Sequence, residues 1–318
     1  MKSRRRRLGI GALIIAIPAA AAATAAGQAF ASPAQAPLRI KPRSGQVAYG
    51  HDLVVTGTES AADAGHTIVL EFARRGATAW SQLGSTTVGG AGAFQLAARL
   101  EQSGVVRVLD GSSGSTTPFV ARARGGSSGG ASPSSAVPVD VAARVRVPTR
   151  GINILAGQAV QLRGRLLPAV GGRKVSLQAR RSGSWHTLAT ARTSSIGRFV
   201  LRYVAGGAGQ QTIRVRFAGD RRNGRSTAGA GQMTVFRAAE ASWYNDGGNT
   251  ACGFHAQYGV ANRSLPCGTK VEFRLGGRSV NATVDDRGPY VGGRDWDLNQ
   301  NTASALGFGG VGQVWSSQ

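Results

Sequence analysis

The residue types best suited to chemistry gather in the last eighty positions of the chain. Cys252 and Cys267 stand fifteen residues apart, and the sequence holds no other cysteine. In an oxidising compartment an even pair of this kind closes a disulfide, and by loop-closure entropy a loop of that size contributes roughly 3 kcal/mol. Two free thiols or a metal site are the alternatives. With only the imidazole of His255 inside the loop, the pair would make a poor zinc cage, so no metal is expected. Asp285 and Asp286 adjoin each other and Arg287 follows. A neighbouring carboxylate favours a protonated acid, and a guanidinium favours an ionised one. Asp295 and Asp297 lie a little further on.

Whether the thiols oxidise depends on the compartment, and the N-terminus speaks to that. Lys2 and Arg4 to Arg7 form a basic start, and Leu8 to Ala26 is uncharged and apolar. Two A-x-A sites follow, Ala29-Phe30-Ala31 and Ala34-Gln35-Ala36. This is the layout of a secretory signal peptide over residues 1–36. An uncleaved membrane anchor is the rival reading. Gly9, Gly11 and Pro18 interrupt the apolar core, which is short for a span of ~20 residues. The expectation is a secreted protein with no stable membrane anchor after cleavage.

The 318 residues carry a formal charge of +23, and the mean hydropathy of -0.11 excludes a polytopic membrane protein. The charge is unevenly spread. Residues 1–36 hold five basic side chains and no acidic one, which leaves +18. Residues 239–318 hold six basic and seven acidic side chains, so 37–238 carry +19. An exported nucleic-acid binder is not expected. The basic middle reads either as a solvated face or as attraction to anionic wall polymers such as teichoic acids.

That middle is a repeat. Gly50 to Gly57 resembles Gly157 to Gly164, and Val69 to Arg75 (VLEFARR) matches Val175 to Arg181 (VSLQARR). Trp80 and Trp185 follow, then Gly92 with Phe94 and Gly197 with Phe199, with fourteen positions from Trp to Phe in both copies. Short alternating strands such as Thr67 to Phe72 and Gln211 to Phe217, about seven in about 90 residues, indicate an Ig-like β-sandwich in each copy. The two sandwiches are placed at 37–122 and 139–237, with a Gly/Ser/Pro linker at 123–138. The paired Trp residues are expected in the cores, with a sugar-stacking platform as the alternative.

Residues 238–318 contain short strands, many glycines and one short helix. Val271, Phe273 and Leu275 alternate before a Gly276-Gly277 hairpin turn, and Val280, Ala282 and Val284 alternate after it. Thr302 to Leu306 reads as a short helix and Gly312 to Ser316 as a closing strand. This suggests a small closed barrel. The segments ASWY (241–244), TACG (250–253), LPCGT (265–269), DRGPY (286–290) and GRDWDL (293–298), followed by ALGF (305–308), together resemble the RlpA-like domain. That domain is a six-stranded double-psi β-barrel shared with expansins and barwin-like proteins. The fold class expected is therefore mainly β: two Ig-like sandwiches followed by a C-terminal six-stranded double-psi β-barrel.

The resemblance implies action on peptidoglycan glycan strands, without a cofactor. RlpA-like proteins include lytic transglycosylases, which cleave the MurNAc–GlcNAc bond to a 1,6-anhydro product. One carboxyl acts as acid and then as base, which requires a partly desolvated setting. Asp286 occupies the family's catalytic position, and Asn262, Tyr244, Arg287 and Tyr290 fall among the glycan-contacting motifs. A turn in which Asp286 merely caps backbone amides is the alternative. The chain also departs from the family. Ala261-Asn262 stands where the lytic enzymes have Ala-His, and Cys252-Gly253-Phe254 stands where Ser-Gly-Glu is usual. An asparagine hydrogen-bonds a sugar but cannot shuttle a proton near neutral pH. The other function expected from the resemblance is an expansin-like module that binds or loosens wall glycan without cleaving it.

Overall fold

The structure, a computed structural model, describes residues 39–43, 45–111, 133–245 and 247–318. The expected signal segment and residues 123–132 of the expected linker lie outside the described residues. No helix among the described residues is long and apolar enough to cross a membrane.

The first sandwich comprises β1 (Arg39–Pro42), β2 (Gln46–Ala48), β3 (Asp52–Thr58), β4 (Thr67–Arg74), β5 (Ser81–Thr87), β6 (Ala93–Arg99), β7 (Gly104–Asp110) and β8 (Val137–Ala142). One sheet runs β1-β3-β6 and the other β2-β8-β7-β4-β5. Strict alternation makes each strand two-faced: in β6, Phe94, Leu96 and Ala98 are buried and their neighbours exposed. They meet Ile68, Leu70 and Val106 of the other sheet in one core. Strand β8 corrects the domain boundary expected from sequence. The sequence pattern places residues 137–138 in the linker and 139–142 in the second sandwich. Instead, β8 runs antiparallel to β7 and parallel to β2. Its Val139 and Val141 are fully buried in the first core, and burying a valine is worth roughly 1.5–3 kcal/mol.

The second sandwich begins at β9 (Arg144–Arg146) and continues through β10 (Gly151–Leu155), β11 (Ala159–Leu167), β12 (Lys174–Arg181), β13 (Ser184–Arg192), β14 (Arg198–Val204), β15 (Gly209–Phe217) and β16 (Ser226–Tyr244). Its sheets are β14-β11-β9 and β13-β12-β15-β16, with β10 parallel to β16. Along β4 and β12 the register differs by one residue from the VLEFARR–VSLQARR match and has the offset of the Gly50–Gly157 match. Both β4 and β12 carry a register irregularity, after Leu70 and after Leu177. Ile68, Leu70 and Phe72 are buried in one copy, and Val175, Leu177 and Ala179 in the other. Ser176 therefore corresponds to Val69, because a slip of one residue exchanges the two faces of a strand.

The tryptophans are also displaced from expectation. Trp80 and Trp185 are half-buried and belong to neither core. Each lies at the start of an edge strand beneath a guanidinium, Arg107 at 4.0 Å and Arg214 at 3.8 Å. Arg107 Nε donates to Glu71 at 2.8 Å, and Arg214 Nε donates to Gln178 at 2.9 Å. A cation over an indole face is attracted by the ring quadrupole, so the pair is stable on the outer face of the sheet.

The C-terminal region adds β17 (Gly259–Ala261), β18 (Lys270–Leu275), β19 (Arg278–Asp286), β20 (Trp296–Asn299), α1 (Gln300–Leu306) and β21 (Gly312–Ser316). The second half of β16 pairs with β20, β20 with β17, β17 with β19, β19 with β18 and β18 with β21, and β21 returns to β16. The ring closes around Val271, Phe273, Val284, Trp296 and Leu298. Trp296 is fully buried and meets Phe273 edge-on, with centroids 5.1 Å apart. Ala241–Tyr244 is the end of a 19-residue strand whose first half belongs to the second sandwich. Buried Phe236 marks the crossing, 6.0 Å from the Trp315 ring.

Candidate functional site

A register shift in the barrel separates the two adjacent carboxyls. Along parallel strands β17 and β19, Val260 pairs with Val284 and Ala261 with Asp286, so Asp285 is the extra residue of a bulge. Strict alternation from Val280, Ala282 and Val284 would carry Asp286 inward and Asp285 outward. The bulge breaks the alternation, as bulges beside functional sites do when they re-aim a side chain: Asp285 is the buried one of the two and Asp286 the partly exposed one.

Asp285 is fully buried. Its Oδ2 accepts from the Ala256 amide at 2.8 Å and its Oδ1 from the Val260 amide at 3.0 Å. Burial pushes its pKa above the ordinary carboxylate value, while those two amides and nearby His255 act in the opposite direction. Gly259 makes room for it: a Cβ there would stand 2.3 Å from Asp285 Oδ2. Glycine in a strand often marks such a close approach.

Asp286 is partly exposed at the end of β19. Its Oδ1 accepts from the backbone amides of Ala251 at 2.9 Å and Arg287 at 2.8 Å. Oδ2 takes no hydrogen bond from the described residues. The Ala251 amide is delivered by the TACG loop, which the Cys252–Cys267 disulfide ties to the LPCGT turn. The Cys252 amide donates to the Asp285 carbonyl at 3.2 Å, and the Gly268 amide to the Val284 carbonyl at 2.8 Å. Both cysteine-bearing segments thus lie against the end of β19, and the expected pairing is present.

Asn262 follows β17 and adjoins Asp286: its amide donates to the Asp286 carbonyl at 3.2 Å. Its side chain is almost fully occupied within the protein. Oδ1 accepts from the amides of Ser264 at 3.1 Å and Leu265 at 2.8 Å, and Nδ2 donates to the Asp295 carbonyl at 3.3 Å. The side chain therefore shapes the turn that carries Cys267. Arg287 also folds back. Its guanidinium donates to the Asn262 carbonyl at 3.2 Å and to Cys267 Sγ at 2.9 Å, so it braces the loop.

Asp286, Asn262, Arg287 and the disulfide thus form one cluster. Tyr290 leaves it through the Gly288-Pro289 turn and is 80% exposed. Tyr244 ends β16 opposite Asn299. It lies two positions beyond the cross-strand row Ser242, Asp297, Ala261 and Asp286. Within that row Ser242 Oγ donates to Asp297 at 2.8 Å. Trp243, Phe254 and Tyr258 add exposed aromatic surface to the barrel. Among the described residues no three His, Cys, Asp or Glu side chains gather closely enough to hold a metal.

No motif marks Asp285 as a buried hydrogen-bond acceptor, Gly259 as the space beside it, or the Ala251 amide as a donor to Asp286. The one local signal was Gly259, a glycine opening an apolar strand.

Residues 237–315 match a double-psi β-barrel family described as lytic transglycolase. The chain is 40% identical over 84 residues to the probable endolytic peptidoglycan transglycosylase RlpA of Synechocystis sp. (strain ATCC 27184 / PCC 6803 / Kazusa), covering 23% of this chain and 26% of that protein. It is 44% identical over 76 residues to the probable endolytic peptidoglycan transglycosylase RlpA of Aquifex aeolicus (strain VF5), covering 21% and 34%. The chain thus spans about a quarter to a third of the length of these curated relatives. By this match and its ring of strands, the C-terminal region of the chain belongs to the RlpA-like double-psi β-barrel family.

Proposed function

We propose that this chain is a secreted protein that cleaves peptidoglycan glycan strands as a lytic transglycosylase, with Asp286 as general acid and then base. The observation that carries the reading is the Asp286 carboxyl. One oxygen is held by the Ala251 and Arg287 amides, and the other takes no hydrogen bond from the described residues. In the reaction, Asp286 gives its proton to the glycosidic oxygen of the MurNAc–GlcNAc bond as that bond breaks. The MurNAc 6-hydroxyl attacks C1, and its proton returns to the Asp286 carboxylate. No water is consumed, no cofactor is needed, and the product is a 1,6-anhydro sugar. Closure of the glycan over Asp286 supplies the partial desolvation that acid catalysis requires. Residues 37–238, with +19 of formal charge, hold the enzyme to anionic wall polymers.

Asn262 favours a second reading, a glycan-binding or wall-loosening module without cleavage. Its side chain is engaged with Ser264, Leu265 and Asp295, and it has no transferable proton near neutral pH. Exposed Trp243, Phe254, Tyr258 and Tyr290 would then act as stacking faces for sugar rings.

Digestion of purified sacculi by Asp286→Asn separates the two. General acid–base help is worth ~10²–10⁴-fold, so anhydro-muropeptide release should fall by that factor while folding and sacculus pelleting persist. Undiminished release from a folded Asp286→Asn would remove Asp286 as the catalyst. Pelleting of wild type without any release would establish the binder. Release gained only in Asn262→His would mark the natural barrel as a disabled enzyme.

A further inference from the structure

The outer face of the β13-β12-β15 sheet in the second sandwich forms a cleft of about 840 Å³, within the range of about 300–1,000 Å³ typical of ligand sites. Its floor carries hydroxyls, from Ser176 on β12 and from Thr187 and Thr190 on β13. Its rim carries Lys174, Arg216, Arg221 and Arg222. None of these four cations forms an ion pair among the described residues. The one acid in the lining, Asp220, is already neutralised by Arg173, at 2.8 and 3.3 Å.

We infer that this cleft binds a phosphodiester-linked polyol chain. Four unpaired cations would be superfluous for a neutral glycan and serve a repeated anion. They come from β12, β15 and the loop after β15, so they fit a chain-like ligand better than a single phosphate. Hydroxyls between them suit the alcohol groups of a polyol. A nucleic acid fits poorly, because single-strand binding relies on exposed aromatic faces. The one aromatic ring in the lining, Phe217, is buried and lies 4.4 Å beneath the Arg173 guanidinium.

The repeat supplies an internal control. In the first sandwich the positions equivalent to Lys174, Ser176 and Arg216 hold Thr67, Val69 and Leu109, as the matching pairs Val69–Leu109 and Ser176–Arg216 show. The same scaffold therefore exists with no cation at the positions of Lys174 and Arg216, and with Val69 in place of Ser176. The inference rests on the reading of residues 37–238 as the part that attaches to anionic wall polymer, and narrows it to one face of one sandwich.

The test uses the full chain and poly(glycerol phosphate) in titration calorimetry, at low and at high salt. The swap Lys174→Thr/Ser176→Val/Arg216→Leu installs the residues of the first sandwich. A charge-matched control, Arg163→Thr/Arg202→Leu, removes two cations from the opposite sheet, where both are exposed. The swap should weaken binding about tenfold or more, ~1.4 kcal/mol, with unchanged melting temperature, and the control should not. Equal weakening in both would overturn the cleft but keep general attachment by charge. No binding by wild type would sink both. Inorganic polyphosphate bound as tightly as poly(glycerol phosphate) would refute the polyol specificity, and inorganic phosphate that competes at comparable concentration would refute the chain-like ligand. Retained affinity in a folded swap variant would also overturn the proposal.

Discussion

The barrel and the second sandwich share β16, yet they arrange their candidate chemistry in opposite ways. In the barrel it is built from backbone. A bulge separates Asp285 from Asp286, backbone amides fix each carboxyl, and a disulfide clamps the loops. In the sandwich it is built from outward side chains over an invariant frame. Val69 and Leu109 in one copy become Ser176 and Arg216 in the other while the strand registers stay the same. Side chains that face water can be exchanged at little cost, whereas a carboxyl buried by a bulge depends on every neighbour. Specificity is therefore easily altered on the sandwich and hard to alter in the barrel.

The contrast breaks most visibly at Gly259. A methyl group there would overlap Asp285 Oδ2 at 2.3 Å. Overpacking of this kind costs about 3 kcal/mol, so Gly259→Ala should lower the barrel's thermal transition in scanning calorimetry and leave that of the sandwiches in place. A barrel transition at the wild-type temperature would mean that Asp285 has freedom the geometry denies it.

A smaller effect is expected from Asp285→Asn. An amide offers one acceptor to the two donors, Ala256 and Val260, which leaves a buried donor facing a donor at a cost of about 2 kcal/mol. The pH dependence sharpens the test. Burial raises the Asp285 pKa. Between the ordinary carboxylate value and the raised one, the folded state holds a proton that the unfolded state has released. The associated stability is whole below the unfolded value and is lost as pH rises through the folded one. Denaturant unfolding of wild type should therefore show this fall, and Asp285→Asn should lack it. A slope identical in the two proteins would assign the titration elsewhere.

The smallest effect belongs to the sandwich. Trp185→Leu removes the ring beneath Arg214, and a partly exposed cation–π pair is worth roughly 0.5–1 kcal/mol. Chemical denaturation should register that loss and no more. A loss several times larger would return Trp185 to the core.

The barrel's strands were largely legible because their pattern is local. Alternation at Val271, Phe273, Val280, Ala282 and Val284 marks β18 and β19, and Gly276-Gly277 with positive φ at both positions forms the turn between them. The short helix and the closing strand Gly312–Ser316 fall where they were expected. So does the cysteine pair. The Asp286 neighbourhood was legible as motifs but not as geometry. TACG, LPCGT and DRGPY are distant in the chain, and only the closed ring brings the Ala251 amide and Asn262 to Asp286.

By itself the sequence determined the periodicity, the punctuation by glycine and the partition of charge, because each depends on residues within a few positions of one another. Tertiary structure alone decided three things. It gave β8 to the first sandwich, where Val139 and Val141 find a core. It set the register of β4 against β12 one residue away from the VLEFARR–VSLQARR match, because burial on a two-faced strand depends on the partner sheet. It also buried Asp285 and left Asp286 partly exposed, beside a bulge that exists only where β19 pairs with β17.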